Sequence, residues 1–161
     1  MQHIDLICIG KLNAPYFAQG TAEYAKRLGG YCDFKIIELQ EESIQEKNAS
    51  EASIAKALEK EADKIFANMR KGAVIVALCI EGKEFSSEEL ARKIADTAQQ
   101  GNGDMAFVIG SSHGLSPRVK QAAGLKLSMS KMTFPHQMAR MMLTEQLYRA
   151  FSINNNGKYH K

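Results

Sequence analysis

Residues 73–80 read A-V-I-V-A-L-C-I. The run is short, entirely apolar and preceded by Gly72, which makes it a strand and not a helix. Side chains alternate across a strand, so a run with no polar position has both faces covered. That is the pattern of a central strand in a parallel sheet. Outward from it, residues 4–9 (I-D-L-I-C-I), 34–39 and 105–109 read as further strands, and 125–129 as a weak fifth. Between them the spacing changes to that of helices. Phe17, Thr21, Tyr24 and Leu28 share a face that ends at Gly29-Gly30. Ile54, Leu58, Ala62, Ile65, Phe66 and Met69 mark a long amphipathic helix. Ser86-Ser87-Glu88-Glu89 opens another with a capping box. Ser116-Pro117 starts a short one, and Pro135 the last, which carries Met138, Met141, Met142, Leu147, Ala150 and Phe151. The polar stretch 40–50 is expected to be a mobile loop, and 154–161 a tail.

Strands alternating with helices give an α/β fold, a mostly parallel sheet with helices on both faces, in a single domain over residues 1–161. Ligands of such sheets bind beyond the carboxyl ends of the strands. The loops after Ile80, Ile109 and Met129 are therefore the ones to inspect.

No apolar run approaches the ~18 residues of a membrane span, and the N-terminus lacks a basic region followed by an apolar stretch. A cytoplasmic protein is expected. Cys8, Cys32 and Cys79 form no C-x-x-C pair and read as reduced thiols; the histidines have no metal-ligand spacing. The net charge of +3 is unevenly placed. Residues 1–104 hold 13 Lys/Arg against 17 Asp/Glu, and residues 105–161 hold 8 against one, Glu145. A basic third on a near-neutral chain fits either a polyanion-binding face or a merely solvated one.

Gly110-Ser111-Ser112-His113-Gly114-Leu115 follows the fourth strand. Its glycines let the backbone approach a ligand, although the string is neither a P-loop nor G-x-G-x-x-G and also reads as a plain tight turn. Ser130-Lys131-Met132-Thr133-Phe134-Pro135 offers backbone groups for a polar edge and two side chains to flank a flat ring. His136 and Arg140 are four apart, on one face of the last helix's first turns. A histidine moves protons near neutral pH and an arginine holds an anion. Tyr159 and His160, flanked by lysines, suit stacking on a base beside phosphate; a frayed terminus is the plainer reading.

Together these strings are more specific than any one of them. F-V-I-G-S-S-H-G-L-S, then L-S-M-S-K-M-T-F-P-H-Q-M-A-R-M-M-L-T-E-Q-L-Y-R-A-F, then K-Y-H-K resemble the RlmH family of SPOUT-class methyltransferases, and the likeness extends over the whole chain. The resemblance implies a deep C-terminal trefoil knot, which pattern reading would not suggest. It implies a homodimer, S-adenosylmethionine as methyl donor, and 23S ribosomal RNA as substrate. The acceptor would be N3 of a pseudouridine, methylated on the assembled ribosome. Carried over by position, Leu78, Gly110, Met129, Ser130, Lys131, Met132, Thr133 and Phe134 would bind the donor. His136, Arg140, Tyr159 and His160 would lie near the target base, and no metal is implied. Ser111 stands where the family usually has a second glycine. A valine at Gly110 is expected to block the donor and leave the fold intact. Two other readings are a non-catalytic RNA- or ribosome-binding protein on the same fold, and a nucleotide-binding α/β protein. Intact donor loops oppose the first, and the missing P-loop lysine opposes the second.

Overall fold

The computed structural model describes residues 1–45, 47 and 49–161. In chain order the elements are β1 (His3–Ile9), α1 (Pro15–Leu28), β2 (Asp33–Leu39), α2 (Glu51–Ala67), β3 (Val74–Glu84), α3 (Ser87–Ala98), β4 (Met105–Ile109), α4 (Pro117–Ala122), β5 (Leu125–Ser128) and α5 (His136–Asn154). All pairings are parallel, in the order β2-β1-β4-β3-β5.

Local chemistry sets the helix starts. Ser50 and Ser86 each accept a hydrogen bond from the third amide of the helix that follows, in capping boxes closed by Ser53 and Glu89. Pro15 and Pro117 occupy first-turn positions where their missing N–H costs nothing. Residues 40–45 carry no regular structure. The expected loop over 40–50 includes Glu46 and Asn48, which lie outside the described residues.

The period of two along the strands divides the core. Ile4, Leu6 and Cys8 face one way, against Leu28 of α1, Leu90 and Ile94 of α3, and Leu143 and Leu147 of α5. Ile7 and Ile9 face the other way, against Ala62 and Ile65 of α2 and Val119 of α4. Each sealed aliphatic side chain contributes about 1.5–3 kcal/mol.

The run 73–80 is not the central strand. That place belongs to β4, flanked by β1 and β3 and buried at all five positions. β3 lies one place from the edge, and its far half comes out of cover: Ile80 is 56% exposed. There Leu127 of β5 pairs first with Leu78 and then with Lys83, so residues 79–82 bulge away from the sheet. Only glycine fits at the return, because a Cβ at Gly82 would stand 2.7 Å from the Lys126 carbonyl. The connection from β4 passes β3 to reach β5, and α5 then returns across the sheet to pack on α1 and α3. That path is consistent with the knot implied above.

Candidate functional site

The bulge, the loop after β4 and the loop after β5 enclose a cavity of about 610 Å³ at the carboxyl ends of β3, β4 and β5. Its volume falls in the range of small-molecule sites, roughly 300–1,000 Å³. Leu78, Gly110, Met129, Ser130, Met132, Thr133 and Phe134 line it, together with His136. Lys131 does not; it is exposed between two lining residues. The sequence named these loops but not all their lining groups. Cys79, Ile80 and Glu81 enter through the bulge, Lys120 enters from α4, and Ser111, Ser112 and Leu115 complete the loop after β4. Glu81 and Lys120 pair across the rim at 2.5 Å.

Each loop is shaped by its own polar groups. Ser128 donates to the Ser130 carbonyl at 3.0 Å, and Ser130 Oγ accepts from the Met132 amide at 3.0 Å. The Gly114 amide donates to the Ser111 carbonyl at 2.8 Å, folding the 110–115 loop on itself. Gly110 is buried inside that fold: an added Cβ would meet the Gly114 carbonyl carbon at 2.6 Å and Leu115 Cδ2 at 3.0 Å. A valine there therefore does not spare the fold, contrary to the sequence expectation, because the clash is with backbone. Gly110→Ala is expected to destabilise the chain by about 1–3 kcal/mol while removing ligand binding. Paired thermal melts and titrations check this; a normal melting curve would contradict it.

The remaining sequence candidates separate into two groups. His136 opens α5 at the cavity wall, and its Nε2 lies 3.7 Å from where a Gly10 side chain would begin. The Gln137 side chain accepts from the Asn13 and Ala14 amides at 2.8 and 3.3 Å, fixing the β1–α1 loop against the same turn. Arg140 is 1% exposed and does not line the cavity. Its Nη1 pairs with Glu38 at 2.5 Å and its Nη2 donates to the Gly10 carbonyl at 2.9 Å. Here the arginine is a buried brace between β1, β2 and α5.

Tyr159 and His160 lie elsewhere. The Tyr159 hydroxyl donates to Glu145 at 2.9 Å, its ring packs on Tyr148 at 4.7 Å, and the Arg149 guanidinium covers it at 4.7 Å. Burial, then the Glu145 carboxylate and Tyr24, push its phenol well above the usual range. His160 sits between Arg149 (Nδ1, 3.1 Å) and Glu88 (Nε2, 2.7 Å). Arginine has only donors, so Nδ1 accepts and Nε2 carries the proton given to Glu88. The tail is thus docked, not frayed. It is docked beside Arg149, thirteen residues along α5 from His136, or about 20 Å at the helical rise.

The charge asymmetry also reads differently in three dimensions. Arg118, Lys120, Arg140 and Arg149 all pair with carboxylates, three of them with acids from the first two-thirds of the chain. Lys126, Lys131, Lys158 and Lys161 form no ion pair among the described residues, and they carry the uncompensated charge. Cys8 and Cys32 are sealed, and burial pushes both thiols up to about 12. All three cysteines are free. Among the described residues no cluster of His, Cys, Asp or Glu forms a metal site, and no helix is long and apolar enough to cross a membrane.

A sheet of this order with a cavity between the last two strands and the final helix defines a class of protein. The family model described as predicted SPOUT methyltransferase matches residues 2–160, and the chain belongs to that family. It is 47% identical over 159 residues to the ribosomal RNA large subunit methyltransferase H of Ligilactobacillus salivarius (strain UCC118), covering 99% of each chain. It is 45% identical over 158 residues to that of Streptococcus uberis (strain ATCC BAA-854 / 0140J), covering 98% of this chain and 99% of the relative. The protein of the same name from Clostridioides difficile (strain 630) is 44% identical over 160 residues, covering 99% of each. Within the SPOUT methyltransferases, these matches place the chain in the RlmH family. Among solved structures it resembles a probable methylase family protein from Haemophilus influenzae Rd KW20, with a TM-score of 0.52 at 18% identity. That match covers 99% of this chain and 70% of the other, and it is a likeness of fold.

Proposed function

We propose that this chain is a cytoplasmic ribosomal RNA methyltransferase that uses S-adenosylmethionine to methylate N3 of a pseudouridine in 23S rRNA, on the assembled ribosome. Residues 1–161 would act as one domain, and two copies as a homodimer. The observation that carries the reading is the cavity, whose three walls are the three loops of the SPOUT resemblance. Its apolar side chains, Leu78, Leu115, Met129 and Phe134, suit a flat ring and a thioether-like chain. The folded-back loop backbones at 110–114 and 130–132 supply polar edges, and Glu81 and Lys120 supply charge at the rim. When bound, the donor's sulfonium supplies an already activated methyl group.

The protein's task is then to hold the acceptor in line, exclude water and receive one proton. N3 is a weak nucleophile until that proton leaves. Three side chains of the resemblance are candidates for receiving it, and their surroundings favour one. The Tyr159 phenol is held protonated, and the His160 acceptor nitrogen already takes a hydrogen bond from Arg149. His136 alone of the three faces the cavity, and we assign it the proton.

Because the tail is about 20 Å along α5 from its own cavity, a contact between Tyr159 or His160 and the target base calls for a second copy. The surface of α5 supports pairing. Outside its sealed stripe it carries half-buried Met138, Met142 and Tyr148, and half-buried Tyr24 and Tyr31 extend the aromatic surface onto α1 and beyond. Light scattering at micromolar concentration is expected to give twice 17.8 kDa; a monomer mass would remove the dimer. Calorimetry with S-adenosylmethionine against ATP tests the donor. Binding of S-adenosylmethionine alone is expected, and binding of neither would leave a non-catalytic RNA-binding protein.

A further inference from the structure

The walls of the cavity are almost free of charge. Among the described residues that line it, Glu81 is the one carboxylate and Lys120 the one ammonium. They come from different elements, the bulge of β3 and helix α4, and they meet at 2.5 Å.

Each is delivered by its local structure. Side chains alternate along a regular strand, so Cys79, Ile80 and Glu81 could not all reach one cavity without the slip in register at 79–82. Helix α4 is fixed from two sides: Val119 is sealed in the core, and Arg118 pairs with Glu59 and Asp63 of α2. Lys120, the next residue, is left to face the rim. Its hydrogen bond and its charge hold the Glu81 carboxyl below the usual carboxylate range, so that acid is ionised at neutral pH.

As a contribution to the fold this pair is small, because both side chains reach solvent and exposed ion pairs are worth little. At the mouth of an otherwise uncharged cavity, however, an acid beside a base has a definite ligand chemistry. It matches a zwitterion whose ammonium and carboxylate sit on one carbon, each charge meeting its opposite through a charge-assisted hydrogen bond.

We propose that Glu81 and Lys120 form the subsite for the amino-acid end of the donor, Glu81 taking its α-ammonium and Lys120 its α-carboxylate. This rests on the reading of the cavity as the donor site, and it sets which way round the donor lies. The amino-acid end sits at the rim, between the bulge and α4, and the flat ring among Leu78, Leu115, Met129 and Phe134. As the zwitterion enters, each side chain exchanges its partner for one on the ligand, and no charge is left unpaired.

The plainer role for the pair is a clasp that holds the bulge against α4. The two roles differ in what the ligand must carry. A clasp shapes the cavity for any adenosine derivative, so its loss weakens all of them alike. A zwitterion subsite is felt only by ligands that carry the matching charge.

The experiment is calorimetric titration of the full-length parent, Lys120→Met and Glu81→Gln with four ligands. S-adenosylmethionine and S-adenosylhomocysteine both carry the whole amino-acid end. Decarboxylated S-adenosylmethionine keeps the ammonium alone, and methylthioadenosine has neither charge. Lys120→Met is expected to weaken the first two roughly tenfold, one charge-assisted hydrogen bond discounted for the exposure of the rim, and to leave the other two within about twofold. Glu81→Gln should weaken all three amine-bearing ligands roughly tenfold and leave methylthioadenosine within about twofold. Thermal melting should hardly move in either variant. An equal loss for all four ligands makes the pair a clasp and overturns the proposal, as does a variant that binds all four like the parent. If a variant does not fold, the parent decides: S-adenosylmethionine bound at least about tenfold tighter than methylthioadenosine supports the subsite, and a smaller margin overturns it. A parent that binds none of the four defeats the donor-site reading and this proposal with it. A parent that binds them, with variants that do not discriminate among them, leaves the donor site standing and removes the subsite alone.

Discussion

Truncation after Gly157 is expected to reduce methyl transfer to ribosomes about a hundredfold or more, while S-adenosylmethionine affinity stays within about twofold. The tail touches no residue of the cavity, so the donor should not notice its loss. The acceptor should, if the tail of one copy completes the site of the other. The sequence alone suggests that melting would be unaffected, and the structure says otherwise. Removing Tyr159 strips Glu145 of a hydroxyl and Arg149 of the ring it covers, and removing His160 unties Arg149 from Glu88. Together these losses come to about 2 kcal/mol, which in a chain of this size lowers Tm by roughly 4–8 °C. Complementation separates stability from chemistry. A truncated chain mixed with a His136→Ala chain should regain activity in the mixed dimer, because one intact cavity then meets one intact tail. Parental rates in the truncated enzyme, or no recovery on mixing, would remove the tail from the reaction.

Arg140→Met is expected to lower stability by about 3 kcal/mol, equivalent to roughly 6–12 °C in Tm. Methionine fills similar space but leaves the Gly10 carbonyl without its donor and breaks the brace between β1 and α5. The Glu38 side chain is 43% exposed and can turn to water, so Glu38→Gln should cost less than about 1 kcal/mol. This asymmetry would show that the Gly10 contact stabilises the fold more than the ion pair does. A role at the reacting oxygen gives the opposite pattern: normal melting and lost turnover. Measuring both on each variant distinguishes a brace from a catalytic group.

How much of this is legible in the sequence depends on range. Strands and helices follow from spacing, and the candidate loops from their positions after strands, so seven of the eight residues expected to bind the donor line one cavity. The bulge at 79–82 is not legible, because Cys79 and Ile80 continue the apolar run and only pairing with β5 shows the slip in register. Arg140 next to His136 looks like a polar patch; its partners, Gly10 and Glu38, lie a hundred or more positions away. Glu61, in a helix rich in Glu and Lys, looks solvated until the fold turns it inward. The docked tail is hidden for the same reason, since Glu88 is 72 residues from His160.

The bulged edge of the sheet also shapes how the molecule breathes. β5 spans four residues and pairs with β3 alone, whereas β4 is held on both sides. Amide protons of 79–84 and 125–130 should therefore exchange with solvent through local opening, long before those of β1 and β4, whose release needs global unfolding. A ligand filling the cavity bridges both segments, so it should slow exchange there by its full binding free energy and leave the sheet interior almost unchanged. The donor would close the weakest seam of the fold.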